Sequence, residues 1–171
     1  MAMDADDLAQ EIMDEINEID DPGDAAKAFS KALKAHIEDN CEVDYSWSAL
    51  RPPPPPPPEK DSTTDFTSEV TFPNFDVGNP ESVDAWGPMI TTAVAGGIIK
   101  HPSEFLVPPG SFAPIPMTIT ESDADNMEDA WKHVAKEIVD GIKNMINPTP
   151  LPGSHPPYVV PTPGAIMTGI S

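Results

Sequence analysis

Cysteine is almost missing from this sequence. Cys41 is the only one in 171 residues, so no disulfide can form within the chain. With no CxxC partner it gives neither a redox nor a zinc signature and reads as a small apolar residue. Cations are scarce as well: nine Lys and Arg stand against 29 Asp and Glu, a formal charge of −20. Such a charge repels phosphate backbones and anionic lipid surfaces, which argues against direct nucleic-acid or membrane binding. No long apolar run occurs. The longest, Met89 to Ile99, is too short to span a bilayer and is broken by Gly96 and Gly97. The first residues are acidic rather than basic and then apolar, so no secretory signal is expected. Catalytic signatures are missing too: there is no P-loop, dinucleotide fingerprint, nucleophile elbow or HExxH motif.

Proline, by contrast, is abundant. Its 23 residues are more than twice the usual frequency and fall between the periodic stretches, which points to a divided core. The charge is uneven too. Ten acids and no Lys or Arg lie between Met1 and Asp24, whereas no Asp, Glu, Lys or Arg follows Lys143. One end is solvated, and the other is suited to touching protein.

Apolar spacings of three and four predict four helices. Leu8, Ile12, Ile16 and Ile19 mark the first, from about Asp4 to Ile19, with acids near its favourable N-terminus. After Asp21-Pro22-Gly23, Asp24 is placed to cap a second helix to about Asp39, with Phe29, Leu33 and Ile37 on its stripe. Residues 1–39 thus read as an acidic helical hairpin. Residues 40–80 read as an aromatic and polyproline linker with short strand-like pieces; Pro52 to Pro58 form a polyproline II spacer of roughly 20 Å. Asn79-Pro80 opens a third helix that Pro88 should kink or delay, with Trp86, Ile90, Val94 and Ile98 on one face. The fourth follows Ser122 and reaches about Ile146, its face carrying Met127, Trp131, Val134, Ile138, Ile142 and Met145 or Ile146.

Two stretches repeat one another. Asp84-Ala85-Trp86 matches Asp129-Ala130-Trp131, and Pro109-Gly110-Ser111 matches Pro152-Gly153-Ser154. Each copy ends alike, in Pro116-Met117-Thr118-Ile119-Thr120 and in Ile166-Met167-Thr168-Gly169-Ile170-Ser171. Residues 81–121 and 122–171 therefore read as two helix-plus-arm units, with a degenerate earlier copy near Lys27-Ala28-Phe29. The fold class expected is mainly α with extended Pro-rich arms and little independent globular core. Such units must pack on one another or on neighbours.

The remaining chemistry-bearing residues each have a plainer reading. His133 and Glu137 share a helix face, but two ligands do not make a metal site, and Lys and Glu around them suggest a solvated face. Asp123, Asp125 and Glu128 resemble the opening of a calcium loop without its glycine or closing Glu, and an acidic helix start explains them. No catalytic, cofactor-binding or metal-ligating residue is expected. Arg51 with Pro52 to Pro58 fits a PxxP ligand for an SH3-like or profilin-like domain, the alternative function being an acidic proline-rich adaptor.

Short helices followed by Pro-, Gly- and Thr-rich arms ending in Gly169-Ile170-Ser171 are similar in style to small virion proteins of tailed bacteriophages. The likeness covers Trp131 to Ser171 and, more weakly, Trp86 to Thr120. It implies a non-enzymatic structural component of the tail, baseplate or neck, or a capsid decoration protein. The implied partners are other structural proteins and copies of itself, within a virion assembled in the host cytoplasm. Under this resemblance Tyr158, Val159, Val160 and Ile166 are contacts of the C-terminal arm, and Trp86 and Trp131 anchor the helices to partners.

Overall fold

The structure is a computed structural model that describes residues 2–46, 59–65, 70, 72, 75–100, 110–151 and 164–171. Four helices and a small sheet make it mainly α. Helix α1 (Ala5–Ile16) is capped by Asp4, whose carboxylate accepts from the Asp6 and Asp7 amides. Helix α2 (Pro22–Asn40) is capped by Asp21, not by Asp24. The Asp21 carboxylate accepts from Gly23 N and Asp24 N, and Pro22 sits in the first turn, where its missing N–H costs nothing. Glu15 meets Lys31 and Glu11 meets His36, at 2.9 and 3.0 Å, so the two helices run antiparallel as the hairpin reading requires.

Helix α3 (Pro80–Ala95) starts after its cap Asn79 and continues through Pro88. The expected late start does not occur. Pro88 and Asp84 both lie on the exposed side, where water can serve the Asp84 carbonyl that proline leaves unbonded. Helix α4 (Met127–Lys143) is capped by Asn126, shorter at both ends than the apolar stripe suggested.

The strands are β1 (Glu42–Ser46), β2 (Glu59–Asp65), β3 (Ile98–Ile99) and β4 (Ile166–Ile170), in the order β3-β2-β1-β4. Strand β4 pairs antiparallel with β1, placing Ile170 opposite Val43, and Ser171 exchanges both backbone hydrogen bonds with Glu42. The described end of the C-terminal arm is therefore a strand of this chain's own sheet. Its counterpart in the proposed repeat, Pro116 to Thr120, forms no strand, so the two endings are not structurally alike.

A single hydrophobic cluster joins all four expected segments, which corrects the expectation of little independent core. Apolar stripes show which faces seek cover, and here the cover is internal. Residues 110–122, with no helix or strand of their own, bury Phe112, Ala113, Met117 and Ile119 against the helices. Met117 is seated between α3 and α4 by two glycines. A Cβ on Gly87 would strike the Met117 carbonyl oxygen, and one on Gly141 would lie 2.7 Å from the Met117 Cβ. Backbone bonds secure the segment: Ala113 N donates to Met145 O and Met117 N to Thr91 Oγ1.

Trp86 and Trp131 are 0% and 2% exposed, so they are core residues and not anchors on the surface. Their rings stack at 6.2 Å and 13°, joined by Phe29, Phe72 and Phe75 in one aromatic cluster. The physical reason is spacing: both indoles lie on the helix faces that α3 and α4 turn towards the shared core.

Candidate docking groove

The end of α1 is electrostatically awkward. Asp14 and Glu15 lie in its last turn, which holds no basic residue, and Glu18 and Asp20 follow. A helix C-terminus carries the negative end of the dipole, where an exposed carboxylate costs about 0.3–1 kcal/mol. Glu15 is answered by Lys31 at 2.9 Å. Among the described residues Asp14 is met by the neutral Gln10 amide, which donates to it at 2.7 Å. Among the described residues no Lys or Arg side chain reaches Asp14, Glu18 or Asp20.

Backbone strain falls at the same place. Glu18 has φ 70°, and it is the one non-glycine described residue in the left-handed region. A helix usually ends with glycine in that conformation, because a Cβ there costs about 1–2 kcal/mol. Here the strained position carries a glutamate instead, and it turns the chain towards the Asp21 cap of α2.

Between this turn, the segment around Phe75 and the start of α4 lies an open groove of about 880 Å³. Its floor is apolar: Met13, Ile16, Phe75, Val77 and the edge of Trp131. Met127, expected on the buried stripe of α4, is 61% exposed here, because the helix begins at that residue. The rim is acidic, with Asp14, Glu18, Asp20, Asp76 and Glu128 and no Lys or Arg among the described residues. Asp76 and Glu128 are already engaged, with the Gly78 amide at 3.0 Å and Lys132 at 2.7 Å.

A second groove, of about 490 Å³, lies at the other end of α1 and has a different character. Lys132, Lys136 and Lys143 line it together with Asp4, Asp6 and Asp140. All three lysines are used within the chain. Lys132 pairs with Glu128 and Lys136 with Asp140, hydrogen bonds that hold both ammonium groups above their ordinary pKa. Lys143 donates to the Met3 carbonyl at 3.1 Å.

His133 and Glu137 do more than face solvent. Glu137 accepts from the Thr120 amide at 2.6 Å and from its hydroxyl at 2.8 Å, and His133 Nε2 lies 3.1 Å from Thr120 Oγ1. Because that hydroxyl proton points at the carboxylate, the imidazole must donate to Oγ1 rather than withdraw a proton from it. The trio fastens residues 110–122 to α4 and does not activate a nucleophile. Asp123 and Asp125 are exposed, and no group of His, Cys, Asp or Glu among the described residues is arranged to hold a metal. Cys41 is fully buried, and burial pushes its thiol up to about 12, so it is inert at neutral pH.

Of the other expected contacts, Ile166 sits at the start of β4 and is 43% exposed. Tyr158, Val159 and Val160 lie outside the described residues, as does the Arg51 to Pro58 ligand. No described helix is long and apolar enough to cross a membrane. Comparison with protein-family models, with curated proteins and with solved structures found no match to the chain.

Proposed function

We propose that this chain is a non-enzymatic structural subunit of a multi-protein assembly, and that the groove at the end of α1 seats a neighbouring protein. The observation that carries the reading is the open apolar floor beside Met127, which is 61% exposed at the mouth of the groove. Large side chains left at such a position favour protein contact over solvent. The Thr120, His133 and Glu137 geometry supports the non-enzymatic half, since its hydrogen bonds run against nucleophile activation. A tailed-phage virion, in tail, baseplate or neck, is the setting suggested by the style of the sequence. In that setting Ile166 and the arm leading to it supply further contacts with neighbouring subunits.

Photo-cross-linking tests the proposal. A photoreactive amino acid replaces Met127 in the full chain, and separately Asp39, which lines neither groove. Irradiation in the producing cell or purified particle should join position 127, and not 39, to another protein or a second copy. A chain that stays monomeric and gives no adduct from position 127 overturns the reading.

A further inference from the structure

We infer that the groove at the end of α1 takes a cationic amphipathic segment of a different protein, whose apolar side chains meet the floor while its Lys or Arg meet Asp14, Glu18 and Asp20. The inference rests on the docking reading above and adds the chemistry of the partner. Five of the 16 described residues lining the groove are acids, and none of the 16 is Lys or Arg. These acids, with no Lys or Arg among them, border an apolar floor.

The comparison with the second groove strengthens the point. There acids and lysines are equal in number, and each lysine has a partner within the chain. At the first groove Asp14 stands in the last turn of α1, where the dipole opposes it, and Glu18 just beyond occupies a strained backbone position. Positive charge delivered by a partner removes both the mutual repulsion and the conflict with the dipole. Apolar side chains from the same partner cover Met13, Phe75 and Met127.

A second copy of this chain is a poor source of that charge. Six of its nine Lys and Arg are engaged internally: Lys27 with Asp24, Lys31 with Glu15, Lys34 with Glu38, and the three lysines of α4 as above. Two copies at −20 each also repel. Complementarity therefore selects a partner of opposite charge, with association that weakens as salt is added.

The test uses the full chain and tryptophan-free synthetic peptides, read by calorimetry and by the chain's tryptophan emission. One peptide places Leu at helical spacing with Lys on the other face. A second substitutes Gln for Lys, and a third Ser for Leu. Two variants share one change in net charge: D14K/E18K/D20K at the groove, and D39K/D84K/D123K at exposed acids outside it. The Lys/Leu peptide should bind most tightly. Its affinity should fall at least about tenfold in the groove variant and stay within about threefold in the other. The groove variant should also melt at a temperature no lower than the parent, because it places cations at the α1 C-terminus.

Equal losses in both variants would mean that only net charge attracts the peptide, and would overturn the inference. Gln/Leu binding as tightly as Lys/Leu would also overturn it while leaving the docking reading intact. Ser-containing peptide binding equally well would remove the apolar half. Failure of the Lys/Leu peptide to bind sinks the inference, and the cross-link at position 127 then judges docking separately.

Discussion

The two ends of α1 carry the same kind of side chain under opposite conditions. At the N-terminus Asp4 caps the helix and Asp6 and Asp7 sit in the first turn, where amide donors and the positive end of the dipole favour them. Lysines of α4 stand opposite, so charge is balanced as well as well placed. At the C-terminus Asp14 meets the negative dipole end, Glu18 is held in the left-handed region, and no lysine stands among the described residues lining the groove. Carboxylates at the first end serve the fold. Those at the second act against it, and residues that cost stability while remaining exposed are where binding is to be sought.

The comparison can be broken most severely from beneath. Trp131→Ala removes the indole under the acidic end and leaves a cavity in the aromatic cluster, and chemical denaturation should show a loss of about 3–5 kcal/mol. That loss would be felt by both ends alike, since α4 lines both grooves. A sharper contrast comes from one substitution at each end. Asp4→Ala takes two amides' acceptor from the N-terminus and should cost about 0.5–2 kcal/mol. Glu18→Gly should instead raise stability by up to about 1 kcal/mol, by relieving the left-handed strain. Both are read from the same denaturation curves, and matching signs would remove the contrast between the ends.

The smallest effect at neutral pH belongs to Cys41. Glu42 adds to the burial that raises its pKa, and Lys143, from the balanced end, opposes them. The folded thiol stays protonated to about 12, whereas the unfolded one ionises near 9. Stability is therefore untouched below pH 9 and falls as pH climbs towards 12. A thiol reagent at pH 8 should label the native chain far more slowly than the denatured one; fast native labelling would show the site to be open.

Much of the helical layout was legible in the sequence, because a stripe of apolar residues three and four apart needs no knowledge of what covers it. The hairpin and the Val134 to Ile142 face follow from that periodicity, and the Asn79-Pro80 start from its cap and first-turn proline. Helix ends were read less well. Asp21 and Asp24 are both plausible caps by residue type, and only the position of Pro22 in the first turn distinguishes them. The partner of each face was not legible at all. Val43 meets Ile170 across 127 positions, and Trp86 meets Trp131 through segments whose spacing says nothing of their meeting. So the tryptophans were assigned to neighbours when the chain itself supplies their contacts. The groove was missed for a related reason. The ten acids from Met1 to Asp24 read as one solvated face, because no Lys or Arg in that stretch marks one end of α1 from the other and the lysines that balance its start come from α4.

The seat that Gly87 and Gly141 make for Met117 has a consequence for redesign. Each glycine lies inside a helix, where alanine would be worth about 1 kcal/mol more in an isolated peptide. A procedure that improved α3 and α4 one helix at a time would replace both, and would thereby close the slot that residues 110–122 occupy. In these two helices the weakest local choice is what lets a stretch without secondary structure of its own become the filling between them.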